Sequence, residues 1–441
     1  MFRHTLAAVS FVALLVGALS FSTRASERSA ADVWFDEHIG AVASLYRDLH
    51  QQPELSGRER RTAQRMADEL KLAGAEVTPG VGRNGVVGVI WNGRGPTVLV
   101  RAEMDALPVT EATRLPYAST ETALNDQGGR VGVMHACGHD IHMASLVGTV
   151  RWLSDHRAQW AGTVLFVAQP AEESGAGARW MLKDGLYTRY PRPDCALALH
   201  VAHDLEVGRV GYHVGPAMAG TNSVTIVVRG RGGHGALPHT TVDPIVLASA
   251  LVLDLQTIVS REVNPLDPAV VTVGSIQGGS ESNIIPESVR LKLTLRAFRP
   301  EVLHLLVDGV RRRALALAQG HGAPPPQVEV GGGVPPLVND PQLVSRVVPA
   351  LVRALGSANV TDVQAEMIAE DFGLFGDENV PTFMFRLGTV PPQVLSKARA
   401  GSESLPSLHS PQFAPDAVPA LRTGIRAMTA AVTAILPPPR T

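Results

Sequence analysis

Four short runs of apolar residues with no alternation, at 86–91, 97–101, 164–169 and 195–200, constrain the fold of this chain more than any other feature. A strand that faces water on one side alternates apolar with polar residues, so unbroken runs predict strands buried on both faces. The sequence supplies the cover such strands need. Apolar residues recur at helical spacing from Trp34 to about Gly74 (Val42, Leu45, Leu49; Ala63, Met66, Ala67, Leu70), with a break at Gln51-Gln52-Pro53, and a further helical stretch runs from 144 to 153. Helices alternating with doubly buried strands predict an α/β sheet with helices on both faces.

Between about Gly220 and Gly333 the texture changes. Strands at 223–228, 270–276 and 289–298 and helices at 244–259 and 300–318 make a smaller α+β unit. Gly215-Pro216 before it and the Pro/Gly-rich stretch at 321–341 after it read as flexible edges. Downstream the first texture resumes. The expected organisation is a main α/β domain, at 26–219 and 331–441, interrupted by a second domain at 220–330. A length of 441 residues fits two domains, since single cores stop growing at roughly 250–300 residues.

The first 25 residues read as a signal peptide: Arg3, an apolar run at 6–21, then Thr23 and Ala25 at the −3 and −1 positions of a cleavage site. That predicts an exported chain, periplasmic or secreted, with no membrane attachment after cleavage. An uncleaved anchor is the alternative, disfavoured because the run is shorter than the roughly 18–20 residues a spanning helix needs. No later run is expected to span a bilayer. With 39 basic and 41 acidic residues the chain carries no electrostatic footprint for nucleic acid, and two cysteines exclude a disulfide scaffold.

Signatures of the commonest serine hydrolases and nucleotide binders are missing: there is no G-x-S-x-G and no Walker loop. Gly80, Gly82 and Gly85 spell G-x-G-x-x-G, but a strand-like run follows where a dinucleotide loop needs a helix, so they read as turn glycines. The densest chemistry is His135-Ala-Cys137-Gly-His139-Asp140-Ile-His142. Thiolate and imidazole are ligands for zinc-like transition metals, and the glycine between Cys137 and His139 lets both converge on one ion. Glu172 and Glu173 follow the run at 164–169, at the carboxyl end of a strand, where open α/β sheets place their ligands. If that backbone is extended, one carboxylate faces a metal and its neighbour the water beside it. His200 is expected to end its strand, Glu103 and Asp105 to follow theirs, and His409 to sit in a loop that Pro411 keeps extended at Ser410. In the inserted unit, His234 stands between glycines and His239 follows Pro238, with Asn283 and Arg296 on or near strands. An arginine so placed is either a solvated surface group or a clamp for a substrate carboxylate.

Taken in order, RAEMDALP, MHACGHDIH, QPAEESGAGA, ALHV, GGHGALPH, SNIIP, AEDF and LHSPQF resemble the amidohydrolase branch of the aminoacylase and carboxypeptidase-G metallopeptidase family, over nearly the whole chain from about Trp34 to Leu436. The resemblance implies a metallopeptidase-like α/β catalytic domain interrupted by an α+β lid and dimerisation domain. It implies metal ligands at Cys137, His139, Glu173, His200 and His409, Glu172 as general base, and Asp105 as a carboxylate orienting the metal site. It casts His234 as a lid histidine that reaches the partner subunit's site in a homodimer, and Asn283 and Arg296 as residues facing the substrate's carboxylate. The implied cofactor is one or two divalent ions, zinc, nickel or cobalt by the thiolate, manganese by the carboxylate. The implied activity is hydrolysis of an N-acyl amino acid or similar small amide by metal-activated water. A dipeptidase or carboxypeptidase using the same site, and an exported binding protein that has lost catalysis, are the alternatives. Two positions depart from the family pattern: Glu103 replaces an Asp, and Leu293-Thr294 stand where the family has Gly-Thr.

Overall fold

The computed structural model describes Met1 and residues 30–439, so the expected signal peptide and its cleavage site lie outside the described residues apart from Met1. The larger domain is built on a ten-stranded mixed sheet. Its centre is parallel: Thr97–Glu103 lies between Gly162–Gln169 and Cys195–Glu206, and Thr382–Val390 pairs beyond the latter. Gly85–Asn92 and Glu76–Val81 extend the sheet antiparallel on one side, and Leu337–Asn339 and Gly215–Met218 close the other. Gly162–Gln169 is buried at every position, as its unbroken apolar run requires. Helices Ala30–Gln51, His139–Asp155 and Ala417–Ile435 pack together over one face, where Leu45, Ile141, Val147, Leu421 and Ile425 join Val100, Phe166 and Phe385 in one core. A second cluster, including Leu99, Leu165, Met181, Phe372 and Phe375, covers the other face.

The inserted unit is a four-stranded antiparallel sheet, Ala269–Gln277, Ser288–Ala297, Gly220–Arg229 and Gln327–Val334 in spatial order, with helices Pro244–Arg261 and Pro300–Gly320 on it. Here burial alternates along Ser288–Ala297, which turns Leu291, Leu293 and Leu295 toward Leu251, Leu255, Leu306 and Val310. Leu293 is therefore a core residue, and Arg296 keeps a regular register opposite Thr221.

Four details correct the sequence reading. The stretch at 321–341 is no loose edge: Gln327–Val334 and Leu337–Asn339 are strands within it, the first pairing Gly220–Arg229 and so running past residue 330. Gly331, Gly332 and Gly333 hid its alternation of Val328 and Val330, and Gly215–Met218 is likewise a strand. The helix expected at 144–153 begins at His139, because Gly138 adopts a left-handed φ of 75° and starts it. His200 does not end its strand, which continues through buried Val201 and Ala202 to a partly exposed end at Glu206. Finally, Pro244–Arg261 has the length and mean hydropathy, 1.4, of a spanning segment. Leu247, Leu251, Leu255 and Ile258 of this helix are buried in the lid core, while Ile245, Val246 and Leu253 are exposed.

Candidate metal centre

The parallel strands carry their polar residues to one end of the sheet. Glu103 and Gln169 are register partners at that end, and Asp105 and the Ala171–Gly175 turn follow directly. Cys137 arrives in the turn before, and His139 at the start of, the helix on the adjacent face. A Cβ at Gly138 would meet Val201 Cγ2 at 2.7 Å, and only a residue tolerant of positive φ completes the bend, so glycine lets the backbone approach the strand bearing His200.

These segments bring the donors together. Cys137 Sγ lies 3.6 Å from His200 Nε2, His139 Nε2 lies 3.8 Å from Glu172 and 4.0 Å from Glu173, and His409 Nε2 lies 3.5 Å from Glu173 Oε1. Cys137, His139 and His200 have donor atoms within 4.8 Å of one another, and so do Cys137, Glu173 and His409. Two of the three histidines have the outer nitrogen tied down: His139 Nδ1 to the Asp105 carbonyl at 2.8 Å, His200 Nδ1 to the Val201 carbonyl at 2.8 Å. A ring N–H donating outward leaves Nε2 with its lone pair turned inward, the arrangement metal-ligating histidines use. His139 Nε2 and Glu173 Oε1 are buried without a hydrogen-bond partner. Orphaned buried acceptors facing one point need a cation.

The electrostatics agree. Burial, then Glu370, Glu173, Asp371 and Asp105, hold the Glu172 carboxyl well above the usual carboxylate range. Burial, then Glu173 and Glu172, push the Cys137 thiol up. Burial opposes a charge on His139, yet its bond to Asp105 and the surrounding carboxylates push it up to about 10. This donor set fits a dication.

Of the other two clustered histidines, His142 is spoken for on both sides. Its Nδ1 lies 2.7 Å from Glu103 Oε2, and its Nε2 accepts the Val201 N–H at 2.9 Å, so it braces the His200 strand and has no nitrogen for a metal. His135 is buried and bonds at neither nitrogen, and burial pushes it down to about 4.

Glu172 and Glu173 share the site but not the predicted backbone. They lie on a turn, after Ala171 at φ 52°, so it is the turn that separates their directions. A cavity of about 760 Å³ opens over them, lined on the catalytic side by Cys137, Glu172, Glu173, His200 and His409. Across it stand Thr221 and Arg296 of the lid. Arg296 Nη1 donates to the Met367 carbonyl at 2.9 Å, which leaves its other N–H groups for the cavity. His234 and Asn283 do not line it: His234 is exposed on Gly233–His234, which pairs with Ile284–Ile285, Asn283 is exposed in the turn just before that second strand, and His239 is exposed too.

Residues outside the sequence reading complete the floor. Buried Arg101 pairs with Glu103, with Glu370 at 2.7 Å and with Asp371 at 2.8 Å, and Gln169 bonds both Arg101 and Asp371. The longer Glu103 thus spans from Arg101 to His142. The motif AEDF contains Glu370 and Asp371, so a signal existed, but only the fold shows that they share an arginine near the opposite end of the sequence.

Residues 99–433 match the sequence profile of peptidase family M20/M25/M40. An N-acetyl-L-cysteine deacetylase of Bacillus subtilis is 38% identical over 348 residues, 78% of this chain and 79% of that protein. An IAA-amino acid hydrolase of Arabidopsis thaliana, ILR1-like 2, is 34% identical over 79% of this chain and 76% of its own. The YxeP protein of Bacillus subtilis, a dinuclear metal-binding peptidase from the M20 family, superposes with a TM-score of 0.73 at 30% identity, covering 91% of this chain and 99% of that one. The chain belongs to peptidase family M20/M25/M40, as an enzyme of its amidohydrolase branch.

Proposed function

We propose that this enzyme hydrolyses the amide bond of N-acyl amino acids, with Cys137, His139, Glu173, His200 and His409 holding one or two divalent transition-metal ions and Glu172 as general base. One observation carries the reading: a single cavity has inward lone pairs on its catalytic wall and Arg296 on its lid wall. The metal, when bound, supplies Lewis acidity that acidifies water and polarises a carbonyl. Glu172 takes the proton of the attacking water and returns it to the leaving amine, and its position over the cavity beside the ligands suits both transfers. Asp105 accepts the Glu173 N–H at 2.9 Å and the Ser56 hydroxyl at 2.7 Å, so it orients the turn as well as His139. Arg296 binds the substrate's carboxylate by a charge-assisted pair. His234 and Asn283 reach a site from the partner subunit of a homodimer. The names of the relatives, a deacetylase of an N-acetylated amino acid and a hydrolase of IAA-amino acids, support the N-acyl side of this reading.

The test is a panel of N-acyl amino acids, their carboxamides and unblocked dipeptides, assayed after reloading with manganese, zinc, nickel or cobalt. The N-acyl acids should give the highest kcat/KM, and Arg296→Leu should erase the preference for acid over carboxamide. Faster turnover of the dipeptides, or a preference that survives the Arg296 change, would overturn the assignment.

A further inference from the structure

Ala171 is a non-glycine residue at φ 52°, immediately before the two glutamates of the site. An L-residue holds that conformation only where its surroundings impose it. The surroundings here begin with Glu59, a fully buried carboxylate more than a hundred positions earlier in the chain. Its Oε1 accepts the Ala171 N–H at 2.9 Å, and the same carboxylate accepts the Gly57 N–H at 2.6 Å and Asn84 Nδ2 at 3.1 Å.

The position of Glu59 is unusual for what it does not do. It is the N-cap residue of helix Arg60–Leu72, where an acidic side chain ordinarily accepts the helix's own free N–H groups, yet it makes no such bond. Glu54 does that work, accepting both the N–H and the hydroxyl of Thr62 at 2.8 and 2.9 Å. Glu59 is thereby released toward the metal centre. The segment also reaches the turn's other end, because Ser56 and the Glu173 N–H share Asp105 Oδ2.

Resting on the assignment of Glu172 as base and Glu173 as ligand, we propose that Glu59 is a positioning residue: its carboxylate oxygen holds Ala171 left-handed and so aims Glu172 and Glu173 at their places. Reach sets whether the oxygen meets the Ala171 N–H at all, and charge strengthens the bond once it is made.

Two near-isosteric variants separate the possibilities. Glu59→Asp keeps the charge and shortens the reach by a methylene, and Glu59→Gln keeps the reach and removes the charge. Glu59→Asp should lower kcat about tenfold or more at saturating metal, with KM within about twofold, and should weaken metal affinity by about tenfold, the usual scale for residues that orient ligands. Glu59→Gln keeps an acceptor oxygen for Ala171 but turns an amide NH2 toward Asn84 Nδ2, so it should lose clearly less than the Asp variant in both. Adding Ala171→Gly, which makes the left-handed conformation accessible without restraint, should restore much of the loss in the Asp variant. Competition of each protein against a chelating indicator reads the metal arm whatever the substrate, so a wrong substrate assignment would not mask the result. Loss in the Gln variant with retention in the Asp variant would overturn the proposal. So would a loss in the Asp variant that tracks its melting temperature and is untouched by glycine at 171.

Discussion

Adjacent glutamates with opposite duties are the sharpest claim at the scale of single residues. Glu173 Oε1 is within reach of His139 and His409 and otherwise unpartnered, whereas burial first, and then the surrounding carboxylates, raise the pKa of Glu172. Glu173→Gln should therefore weaken metal affinity, measured by chelator competition, before it does anything else. Glu172→Gln should retain the metal and lose roughly 10²- to 10⁴-fold in kcat, the usual worth of a general base. Exchanged phenotypes would exchange the labels. The residue types announced themselves: a thiol, several imidazoles and paired carboxylates in a few short motifs are legible as metal chemistry. The family resemblance singled out His139 over His142, but residue types and spacing alone did not, because the difference depends on which nitrogen meets the Asp105 carbonyl and which meets the Val201 N–H. Those partners are set by the strands, and no spacing encodes them.

At the scale of elements, the helix that begins with His139 is pinned by a buried charge cluster. His50, near the end of Ala30–Gln51, lies 2.6 Å from Asp140 and 3.1 Å from Glu111. Burial works against a charge on His50, but its bonds to Asp140 and Glu111 outweigh it and push the imidazole up to about 10. A raised pKa means that the folded chain keeps a proton that the unfolded chain, near 6.5, has released. The stabilisation is thus complete below about pH 6.5 and declines until about pH 10. Asp140 and Glu111 are lowered, despite the opposing effect of burial, by their bonds to His50, so their share is present above the ordinary carboxylate range and lost in acid. The melting temperature of the metal-loaded enzyme should fall across pH 6.5–10. In His50→Gln that slope should flatten, from a lower starting point, since stranding one partner of a buried pair costs about 3–5 kcal/mol. An unchanged slope would show that the pair does not titrate as a unit. Helical periodicity made the helices themselves readable. His50 fell in a polar break before Pro53, where nothing in the local pattern distinguishes a buried ion pair from a solvated histidine.

Considered whole, the molecule leaves two of its expected functional residues on the outside. His234, on a short strand of the lid, and Asn283, in the turn before the strand that pairs with it, face solvent, off the cavity that holds the other candidates. Around them the lid exposes Leu237, Ile245, Val246, Leu253 and Ile284, and Ala269–Gln277 is an uncovered sheet edge. Exposed apolar side chains beside an open edge are the features a symmetric pairing surface uses. If two copies pair through the lids, each His234 is carried away from its own site and toward its partner's, where it can hold developing negative charge on the scissile carbonyl oxygen. That geometry makes a quantitative prediction. His234→Ala and Glu172→Gln variants, each nearly inactive alone, are mixed in equal amounts under conditions that exchange subunits. In a mixed dimer, the subunit with intact Glu172 borrows the intact His234 of the other, while the second site lacks both. Random pairing makes about half the dimers mixed and restores about one quarter of all sites. Activity should therefore rise toward about a quarter of the wild-type value at equal protein, with the time course of exchange. Confirmed exchange without any return of activity would mean that His234 serves its own subunit or none, and the lid would then be a cover for the cavity with no catalytic part in its neighbour.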